Sequence, residues 1–513
     1  MKKTNLIILV ITLLSTTIFA QTQYDVDLKK LDEYYTQMLK DWDVPGATIG
    51  IVKDGELIFT GTYGVIEKGG RKKPDGNTLF GIASNTKAFT STLIAMLVQE
   101  GKLNWEDKVK DHLPYFELYD PWVSNNVTVR DLLCHRVGLG TFSGDVIWYK
   151  SDFTSQEIVR RAKHIPQAFE FRAGYGYSNV MYITAGELIR TVTGKSWNDN
   201  VQERIFEPLG MDRSISSVRH LEDKGNYVTP HARENDKNIP IEWVDWEEIA
   251  ALGGIISSVN DLAKWMIFNL DHGVVNNDTL LTRESRNLLW TPHNSFTVDH
   301  TTENDFNQHF RAYGLGWGLA DYHGRLRVSH SGAIDGMITS LTLIPDENLG
   351  VVVLTNGMQS PITAATNYAL ELFLGIEPRD WSTELLDRRK ARQQEDTRIS
   401  SRKEKRVHNT QQSLPLEKYT GTYHCPMHDD IIITKVNDHL RMEFKRAPNL
   451  NANLSHWHYD VWKIEWDEKQ AWFDFGTIKF NTGNNLEIKG ISFDVPNNDI
   501  FFHELNPVRV NEE

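Results

Sequence analysis

The stretch GIASNTKAFTSTLIAMLVQEG, residues 81–101, places a serine and a lysine three positions apart at the start of an apolar run. Its apolar positions have helical spacing, and Gly101 marks the end of the predicted helix. Because residues three apart on a helix share a face, the Lys87 amine can reach the Ser84 hydroxyl. Ser84 is therefore either a helix cap with a lysine nearby or a nucleophile beside its base.

The Ser-x-x-Lys spacing alone does not decide between these alternatives, since it recurs at Ser400 and Lys403 in a charged segment. Ser84 differs in its context, between a strand-rich region and a mostly apolar helix. Burial there can lower the pKa of Lys87 enough for the amine to accept a proton. The start of a helix also offers backbone N–H groups to an oxyanion.

Two further clusters carry polar side chains in patterns that occur once in the chain. They are Tyr177-Ser178-Asn179 and His330-Ser331-Gly332. Each has an ordinary structural explanation, as a core aromatic next to a helix cap and as a strand that ends in a turn. No serine lies in Gly-x-Ser-x-Gly, so an α/β-hydrolase lacks its main signature. The eighteen histidines offer no placement of a Ser-His-Asp triad that the sequence alone supports.

In this order, the three clusters resemble the serine β-lactamase and penicillin-binding-protein superfamily, in the branch of class C β-lactamases, D,D-carboxypeptidases, D-aminopeptidases and related esterases. The resemblance covers roughly residues 28–375. It includes VTVRDLLCHRVGLG (127–140), EPLGM (207–211), GGIISSVNDLAKW (253–265) and YGLGWGL (313–319). The sequence departs from the family pattern at Cys134, Arg136 and Val137, and for this reason His135 is left out of the predicted site.

The resemblance implies an α/β fold, with an antiparallel sheet flanked by helices and a helical insertion. The residues themselves indicate a similar arrangement. Asp54-Gly55 between two β-rich runs predicts a hairpin. Strand-like runs return late in this region, at 326–330, 338–344 and 351–355, and a helix is expected at 364–374. Residues 105–250 have a mostly helical pattern broken by loops.

The last hundred residues predict a separate small antiparallel β-barrel or sandwich, similar to the lipocalin-like domain appended to some family members. Its strand-like runs are 431–433, 439–444, 472–475, 478–480, 486–491 and 499–503. The predicted domains are a signal peptide (1–20), a hydrolase domain (21–383), a charged linker (384–414) and the β domain (415–513). The tryptophans of the β domain are typical of a barrel core. A loop from it that restricts substrate length at the active site is a further hypothesis.

The resemblance also implies a role for each site residue. Ser84 would attack a carbonyl and form an acyl-enzyme, with Lys87 and Tyr177 sharing the proton transfers. Asn179 would hold Lys87 and donate to the acyl-side amide of the substrate. The backbone N–H groups of Ser84 and Ala333 would form the oxyanion hole. No metal and no organic cofactor enters this mechanism.

The substrate-binding triplet His330, Ser331 and Gly332 begins with histidine, where many related β-lactamases carry a lysine. Histidine titrates near pH 6.5, so it holds a substrate carboxylate less firmly at neutral pH. We therefore expect a serine hydrolase of D-amino-acid peptides or small esters with weak or no β-lactamase activity. A class C-type β-lactamase is the alternative, and a non-catalytic ligand-binding or sensing protein is the alternative of another class.

The net charge argues against nucleic acid and anionic membranes as partners, and the N-terminal residues indicate export. The formal net charge of −14 argues against binding to nucleic acid or anionic membranes. Two lysines, a short apolar run and Ala20 form the pattern of a secretory signal peptide. We therefore expect a periplasmic or secreted protein, with no membrane-spanning segment after cleavage, that acts on small-molecule or peptide substrates. The oligomeric state is not readable from the sequence.

The cysteines and the C-terminal histidines give weaker signals. Cys134 and Cys425 are the only cysteines, and we do not expect them to pair. His424, Cys425 and His428 have the residue types of zinc ligands, but no matching cluster accompanies them. We therefore predict no metal site.

Overall fold

The computed structural model describes residues 26–298, 306 and 308–510. The predicted signal peptide, residues 1–20, lies outside this range. The helices of the described residues are α1 (Leu28–Asp41), α2 (Thr86–Gln99), α3 (Val109–His112), α4 (Pro121–Asn126), α5 (Val129–Leu133), α6 (Asp145–Trp148), α7 (Ser155–Arg161), α8 (Asn179–Thr193), α9 (Trp197–Val201), α10 (Glu207–Leu209), α11 (Leu221–Lys224), α12 (Ala250–Gly253), α13 (Val259–Leu270), α14 (Arg283–Leu289), α15 (Ile362–Phe373), α16 (Trp381–Glu395) and α17 (Arg398–Glu404).

The strands fall into a large sheet, three small two-stranded sheets and a closed barrel. They are β1 (Gly46–Lys53), β2 (Glu56–Gly64), β3 (Phe80–Gly81), β4 (His231–Glu234), β5 (Lys237–Pro240), β6 (Ile256–Ser257), β7 (Val274–Val275), β8 (Asp278–Thr279), β9 (Asn294–Phe296), β10 (Arg311–Tyr313), β11 (Gly318–Tyr322), β12 (Arg325–Ile334), β13 (Met337–Ile344), β14 (Leu349–Thr355), β15 (Gly421–Cys425), β16 (Asp429–Val436), β17 (His439–Phe444), β18 (Ala452–His458), β19 (Val461–Trp466), β20 (Thr477–Thr482), β21 (Ile488–Asp494) and β22 (Val508–Arg509).

The large sheet has eight antiparallel strands in the order β2-β1-β14-β13-β12-β11-β10-β9. The predicted hairpin between β1 and β2 is confirmed. Asp54 and Gly55 have φ angles of 53° and 84°, the left-handed conformation that a tight hairpin turn requires. Strand β1 then pairs with β14, about three hundred residues later, with Ile49 opposite Val353. The sheet is therefore assembled from both ends of the hydrolase region.

Helices cover both faces of this sheet. On one face α1, α15 and α16 form a buried cluster that includes Leu31, Tyr35 and Trp381. On the other face α13 packs so closely that a Cβ atom on Gly50 of β1 would lie 2.5 Å from the Val259 side chain. Helix α2 joins this second layer through the rings of Phe89 and Trp265, which stack 3.8 Å apart. The predicted antiparallel sheet with flanking helices and a helical insertion is confirmed.

Strands β15 to β22 form the closed C-terminal barrel, so the predicted small antiparallel barrel is also confirmed. Two of its predicted strands are wrong. Residues 472–475 have no strand pairing, and residues 499–503 run into a 3-10 turn, Phe502–Glu504. These aromatic segments contact the hydrolase region or the barrel core. Their apolar side chains therefore take part in tertiary packing, although their backbones do not pair as strands.

The charged segment 384–414 contains most of α16 and all of α17. The boundaries of the predicted domains remain a prediction.

The barrel docks onto the hydrolase region through the half-buried carboxylate of Glu504 and the buried carboxylate of Asp335. Glu504 of the barrel accepts hydrogen bonds from the Ser143 hydroxyl and from the Gly144 N–H, the latter at 2.8 Å. Asp335, which follows β12, accepts from the Tyr149 hydroxyl at 2.8 Å and from the indole N–H of Trp472 at 3.3 Å. These contacts fix the barrel next to the segments that carry β12 and α6.

Neither a membrane helix nor a disulfide occurs within the described residues. No helix there combines the length and the apolar composition that a bilayer span needs. Cys134 and Cys425 are both buried and unpaired.

We expect the variant Glu504→Gln to loosen the docked barrel, because the amide nitrogen of glutamine cannot accept the hydrogen bond that one carboxylate oxygen accepts now. A buried donor left without its partner costs about 1–3 kcal/mol. Denaturant unfolding, followed by tryptophan fluorescence, measures this loss. The control Glu487→Gln removes only a surface ion pair with Lys489 and should change stability by less than about 0.5 kcal/mol. Equal effects of the two variants would contradict the docking role of Glu504.

Candidate active site

Ser84 lies in a 3-10 turn, Ala83–Asn85, directly before α2. Ala83 has a φ angle of 48°, in the left-handed region that non-glycine residues rarely adopt. The turn is held by the Asn85 amide, which donates to the Ile82 carbonyl at 3.0 Å and to the Thr339 hydroxyl at 2.9 Å. The strained turn therefore presents a half-buried Ser84 at the start of a buried helix.

Lys87, on the first turn of α2, is 0% exposed. Its Nζ atom lies 3.0 Å from the Ser84 Oγ, 2.8 Å from the Asn179 Oδ1 and 2.7 Å from the Leu252 carbonyl oxygen. Burial lowers the pKa of Lys87 to about 7, although the nearby Asp145 carboxyl opposes this change. A large fraction of the lysine is therefore a neutral amine at neutral pH.

Asn179 begins α8 and is oriented by Asp145 of the short helix α6. The Asn179 Nδ2 donates to one Asp145 oxygen at 2.7 Å, and the Trp148 indole donates to the other at 2.9 Å. Because the Asn179 amide nitrogen donates to Asp145, the amide oxygen is the atom that faces Lys87. Burial raises the pKa of Asp145, while its two donors and Lys87 oppose the change.

Tyr177 stands against Ser84 and Lys87. It lines the same cavity as Ser84, and the Lys87 Nζ lies 4.9 Å from the centre of its ring. Burial raises the pKa of Tyr177 above its usual value. The ring of His135 lies 4.3 Å from the Tyr177 ring, and the His135 Nδ1 accepts from the Ser178 N–H at 3.1 Å. His135, which the sequence analysis left out, thus supports Tyr177 from behind.

Strand β12 carries the four remaining predicted residues, His330, Ser331, Gly332 and Ala333. It passes so near the turn that carries Ser84 that a Cβ atom on Gly332 would lie 2.3 Å from the Ile82 carbonyl oxygen and 2.9 Å from the Ser84 nitrogen. Only glycine allows this approach, which brings the backbone of β12 alongside Ser84.

His330 is a neutral side chain at pH 7. Burial, together with the charge of Lys87, lowers its pKa to about 3. Its Nδ1 lies 2.6 Å from the Ser331 carbonyl, an acceptor, so this nitrogen carries the proton. Its Nε2 then accepts from the Tyr313 hydroxyl at 2.9 Å. His330 is therefore a hydrogen-bonding group and not a cation.

Ser84, Tyr177, Asn179 and the β12 residues line one cavity of about 280 Å³. The barrel completes the wall of this cavity with Trp472, Asp499 and Ile500. None of the described residues that line it is a lysine or an arginine. The structure thus brings together all eight residues singled out from the sequence, with Lys87 directly behind Ser84. It also brings a barrel loop to the cavity, while the effect of that loop on substrate length remains a prediction.

Several residues of the site were missed in the sequence. Asp145 and Asp499 do not belong to any recognisable sequence motif. Leu252 contacts Lys87 through its backbone carbonyl, which its side-chain type does not reveal. Tyr313 and His135 offered a signal, since they lie in the family-like segments YGLGWGL and VTVRDLLCHRVGLG.

The C-terminal histidines lie away from this cavity. Among the described residues, His424, Asp429 and Asp430 have ligand atoms within 4.8 Å of one another. Lys445 pairs with Asp430 at 3.1 Å and Arg161 with Asp429 at 3.8 Å, so cations of the protein itself already balance these acids.

The fold and the arrangement of serine, lysine and tyrosine define a serine hydrolase of the β-lactamase and penicillin-binding-protein class. Comparison with known proteins gives the same result. The Beta-lactamase family model matches residues 31–374, and a domain of unknown function, DUF3471, matches residues 405–509. The chain belongs to the Beta-lactamase family.

Its curated relatives include hydrolases and penicillin-binding proteins. It is 30% identical to an unguisins hydrolase from Aspergillus campestris, over 78% of this chain and 76% of the relative. It is 25% identical to penicillin-binding protein 4 from Amycolatopsis lactamdurans, over 66% of this chain and 87% of the relative. A solved structure, the octameric penicillin-binding protein homologue from Pyrococcus abyssi, shares the fold. The TM-score is 0.62 at 22% identity, covering 94% of this chain and 100% of that one.

We expect Gly332→Ala to reduce kcat strongly, because the new Cβ pushes β12 away from the Ser84 turn. Displacements of about 1 Å at a reacting group cost on the order of 100-fold in rate. Ester hydrolysis at matched folded concentration measures the loss. The control Gly140→Ala adds a Cβ whose nearest neighbour lies at 3.4 Å, an ordinary contact, and should retain activity. Full activity of Gly332→Ala would contradict the close approach.

Proposed function

We propose that the protein is a serine hydrolase that forms an acyl-enzyme on Ser84 and hydrolyses D-amino-acid peptides or small esters, with weak or no β-lactamase activity. The observation that carries this proposal is the contact of the Ser84 hydroxyl with a buried Lys87 amine, whose pKa of about 7 leaves about half of it neutral at pH 7. Export to the periplasm or beyond is part of the proposal and rests on the signal-peptide pattern of residues 1–20.

Lys87 is the base in the proposed mechanism. A neutral amine has two N–H bonds and one lone pair. The Asn179 Oδ1 and the Leu252 carbonyl accept hydrogen bonds and cannot donate them, so they take both N–H groups. The lone pair then faces the Ser84 Oγ at 3.0 Å. The serine proton moves to Lys87 as the serine oxygen attacks the substrate carbonyl.

Tyr177 is the proposed acid. Because burial raises its pKa, the phenol keeps its proton at neutral pH and is a poor base. It gives this proton to the leaving amine or alcohol and regains one from the Lys87 ammonium. Water then attacks the acyl-enzyme, and the same groups move protons in the reverse direction to release the acid and restore Ser84.

The backbone N–H groups of Ser84 and Ala333 are the proposed oxyanion hole. The close passage of Gly332 against the Ser84 nitrogen supports this role, since the backbone of β12 then lies next to the Ser84 N–H group.

The charges of the cavity support the substrate class. Penicillins and C-terminal peptide substrates carry a carboxylate, which binds best to a cation. Here His330 is neutral at pH 7, and the lining residues include Asp145 and Asp499. A substrate carboxylate therefore gains little in this cavity. The name of the unguisins hydrolase supports hydrolysis as the activity, and that of the penicillin-binding protein keeps penicillin recognition as the alternative to test.

We expect Ser84→Ala to lose at least about 1,000-fold in kcat/KM for p-nitrophenyl acetate and D-alanine p-nitroanilide, because the attacking oxygen is gone. The matched control is Ser400→Ala, which removes the serine of the second Ser-x-x-Lys and should retain activity. Retained activity of Ser84→Ala would contradict the mechanism. A fluorescent penicillin distinguishes the alternatives: persistent label on Ser84 indicates a D,D-peptidase, and efficient turnover indicates a β-lactamase and overturns the proposed substrate class.

The kcat/KM for p-nitrophenyl acetate should rise as pH increases through about 7 and then level off. The sign follows from the base: Lys87 accepts the serine proton only when deprotonated, and its pKa lies at about 7. A pH–rate profile measures the inflection. The variant His330→Asn should keep an inflection near the same pH, since the pKa of His330 is about 3. Loss of the inflection in that variant would identify His330 as the titrating group instead.

A further inference from the structure

A second cavity lies beside the catalytic one, behind the start of α15. Its volume is about 380 Å³, and we call it the arginine cavity. The arginines that line it belong to α16 and are Arg388, Arg389 and Arg392. Ile362 of α15 lines the catalytic cavity, while its neighbours Pro361 and Thr363 line the arginine cavity. The two cavities therefore share the start of α15 as a wall.

Two of these arginines lack an acidic partner within the described part of the chain. Neither Arg389 nor Arg392 forms a salt bridge or a side-chain hydrogen bond within residues 26–298, 306 and 308–510. The Nε atom of Arg389 is also buried, so it has no access to bulk water. Asp396 lines the same cavity, but Arg398 of α17 already binds its carboxylate at 2.7 Å. Arg389 and Arg392 are therefore cations without a matching anion among the described residues.

The spacing of the arginines on α16 adds repulsion between them. Arg388 and Arg392 are four residues apart, and Arg389 and Arg392 are three apart, so all three lie on one face of the helix. Like charges at these spacings destabilise a helix. Glu384 pairs with Arg388 and also with Arg379, so it balances at most one of the three charges. An anion in the cavity would balance the other two.

A further arginine increases the positive charge next to α16. Burial, together with the charge of Arg233 on β4, lowers the pKa of Arg389. The acids beside Arg233, Asp43 and Asp236, lie 3.5 and 3.7 Å from its guanidinium group. Its Nε and Nη1 atoms are buried without a hydrogen-bond partner among the described residues. Partly buried guanidinium groups that act on each other are unfavourable unless an anion compensates their charge.

A tetrahedral oxyanion fits the donors of the arginine cavity. Each guanidinium group offers N–H donors in a fixed fork, which matches two oxygens of a phosphate group. The first turn of α15 lies in the same wall as the Thr363 hydroxyl, and no side chain of the described residues caps this helix. Its first backbone N–H groups are therefore further donors, at the positive end of the helix dipole. The arginines supply the charge, and the start of α15 adds hydrogen bonds.

The cavity also has an apolar part. Trp42, Pro361, Ala364 and Leu385 line it beside the arginines. A single phosphate ion does not fill a cavity of about 380 Å³. An organic group attached to the phosphate would therefore lie against Trp42 and Leu385.

We propose that the arginine cavity binds a phosphate group, either as the free ion or as the ester of a small organic molecule. Arg389 and Arg392 bind the phosphate oxygens through their guanidinium groups. The site is separate from the catalytic cavity and involves no covalent step. It goes beyond the proposed hydrolase activity and does not depend on it.

Calorimetric titration of the full chain with inorganic phosphate, at an ionic strength held constant with chloride, tests this site. We expect saturable binding by the wild type and a Kd raised about 10-fold or more in Arg389→Gln and in Arg392→Gln, as for loss of a charged hydrogen bond. Arg392→Lys keeps the charge but loses the fork, so its Kd should lie between these values. The matched control Arg402→Gln removes a guanidinium group of α17 that pairs with Asp494 at 2.7 Å. It changes the net charge equally and should keep Kd within about twofold.

Denaturant unfolding distinguishes a lost site from a misfolded variant. Without phosphate, Arg389→Gln should be at least as stable as the wild type, because it removes a partly buried charge on which Arg233 acts. Phosphate should raise the unfolding midpoint of the wild type and of Arg402→Gln, since a ligand that binds only the folded state stabilises it. The midpoint of Arg389→Gln should not respond to phosphate.

Phenyl phosphate distinguishes the two forms of the ligand. Tighter binding than that of inorganic phosphate indicates an ester whose organic group contacts Trp42, and equal or weaker binding indicates the free ion. Two results would overturn the inference: no saturable binding of either probe to the wild type, or a Kd that Arg389→Gln and Arg392→Gln leave unchanged. Neither measurement uses hydrolysis, so the outcome is independent of Ser84.

Discussion

The amine of Lys87 is buried among three oxygens that come from three separate parts of the chain. Ser84 stands in the turn before α2, Asn179 begins α8, and the Leu252 carbonyl belongs to α12. A charged lysine in such a place pays for desolvation, whereas a neutral one satisfies two acceptors and keeps its lone pair for the serine. The reactive state of the site therefore depends on the packing of these helices.

Hydrogen bonds from the surrounding structure hold these helices in their positions. Asp145 orients Asn179, and Glu504 of the barrel binds the residues that precede Asp145 in the chain. On the opposite side, Asp335 links β12 to Tyr149 and to Trp472. Two anionic contacts thus join the barrel to both walls of the catalytic cavity. The barrel is a structural part of the site and not a distant appendage.

The sequence allowed most of the sheet, and the three clusters that meet at the cavity, to be identified, because both depend on local patterns. Ser84 and Lys87 lie one helical turn apart, and Asp54-Gly55 between two β-rich runs is a local hairpin signal. The contributions of Asp145 and Asp499 could not be predicted, since Asp145 acts on Asn179, which lies 34 residues away, and Asp499 reaches the cavity only because the barrel docks there. The two wrong strands have the same origin. Residues 472–475 and 499–503 are rich in aromatic residues because they contact other segments, and a short apolar run does not distinguish such contacts from a strand.

The docked loop of residues 495–500 is also the last part of the cavity wall to be synthesised. During synthesis the nucleophile, its base and the central strands are all made before this loop. The residues around Ser84 can therefore assemble while one side of the cavity is still open. The wall is completed only when the barrel has folded and docked, because Trp472, Asp499 and Ile500 belong to it. The two parts of the cavity wall are thus made at different times, and a substitution in the barrel can change the shape of the cavity without a change in the residues around Ser84.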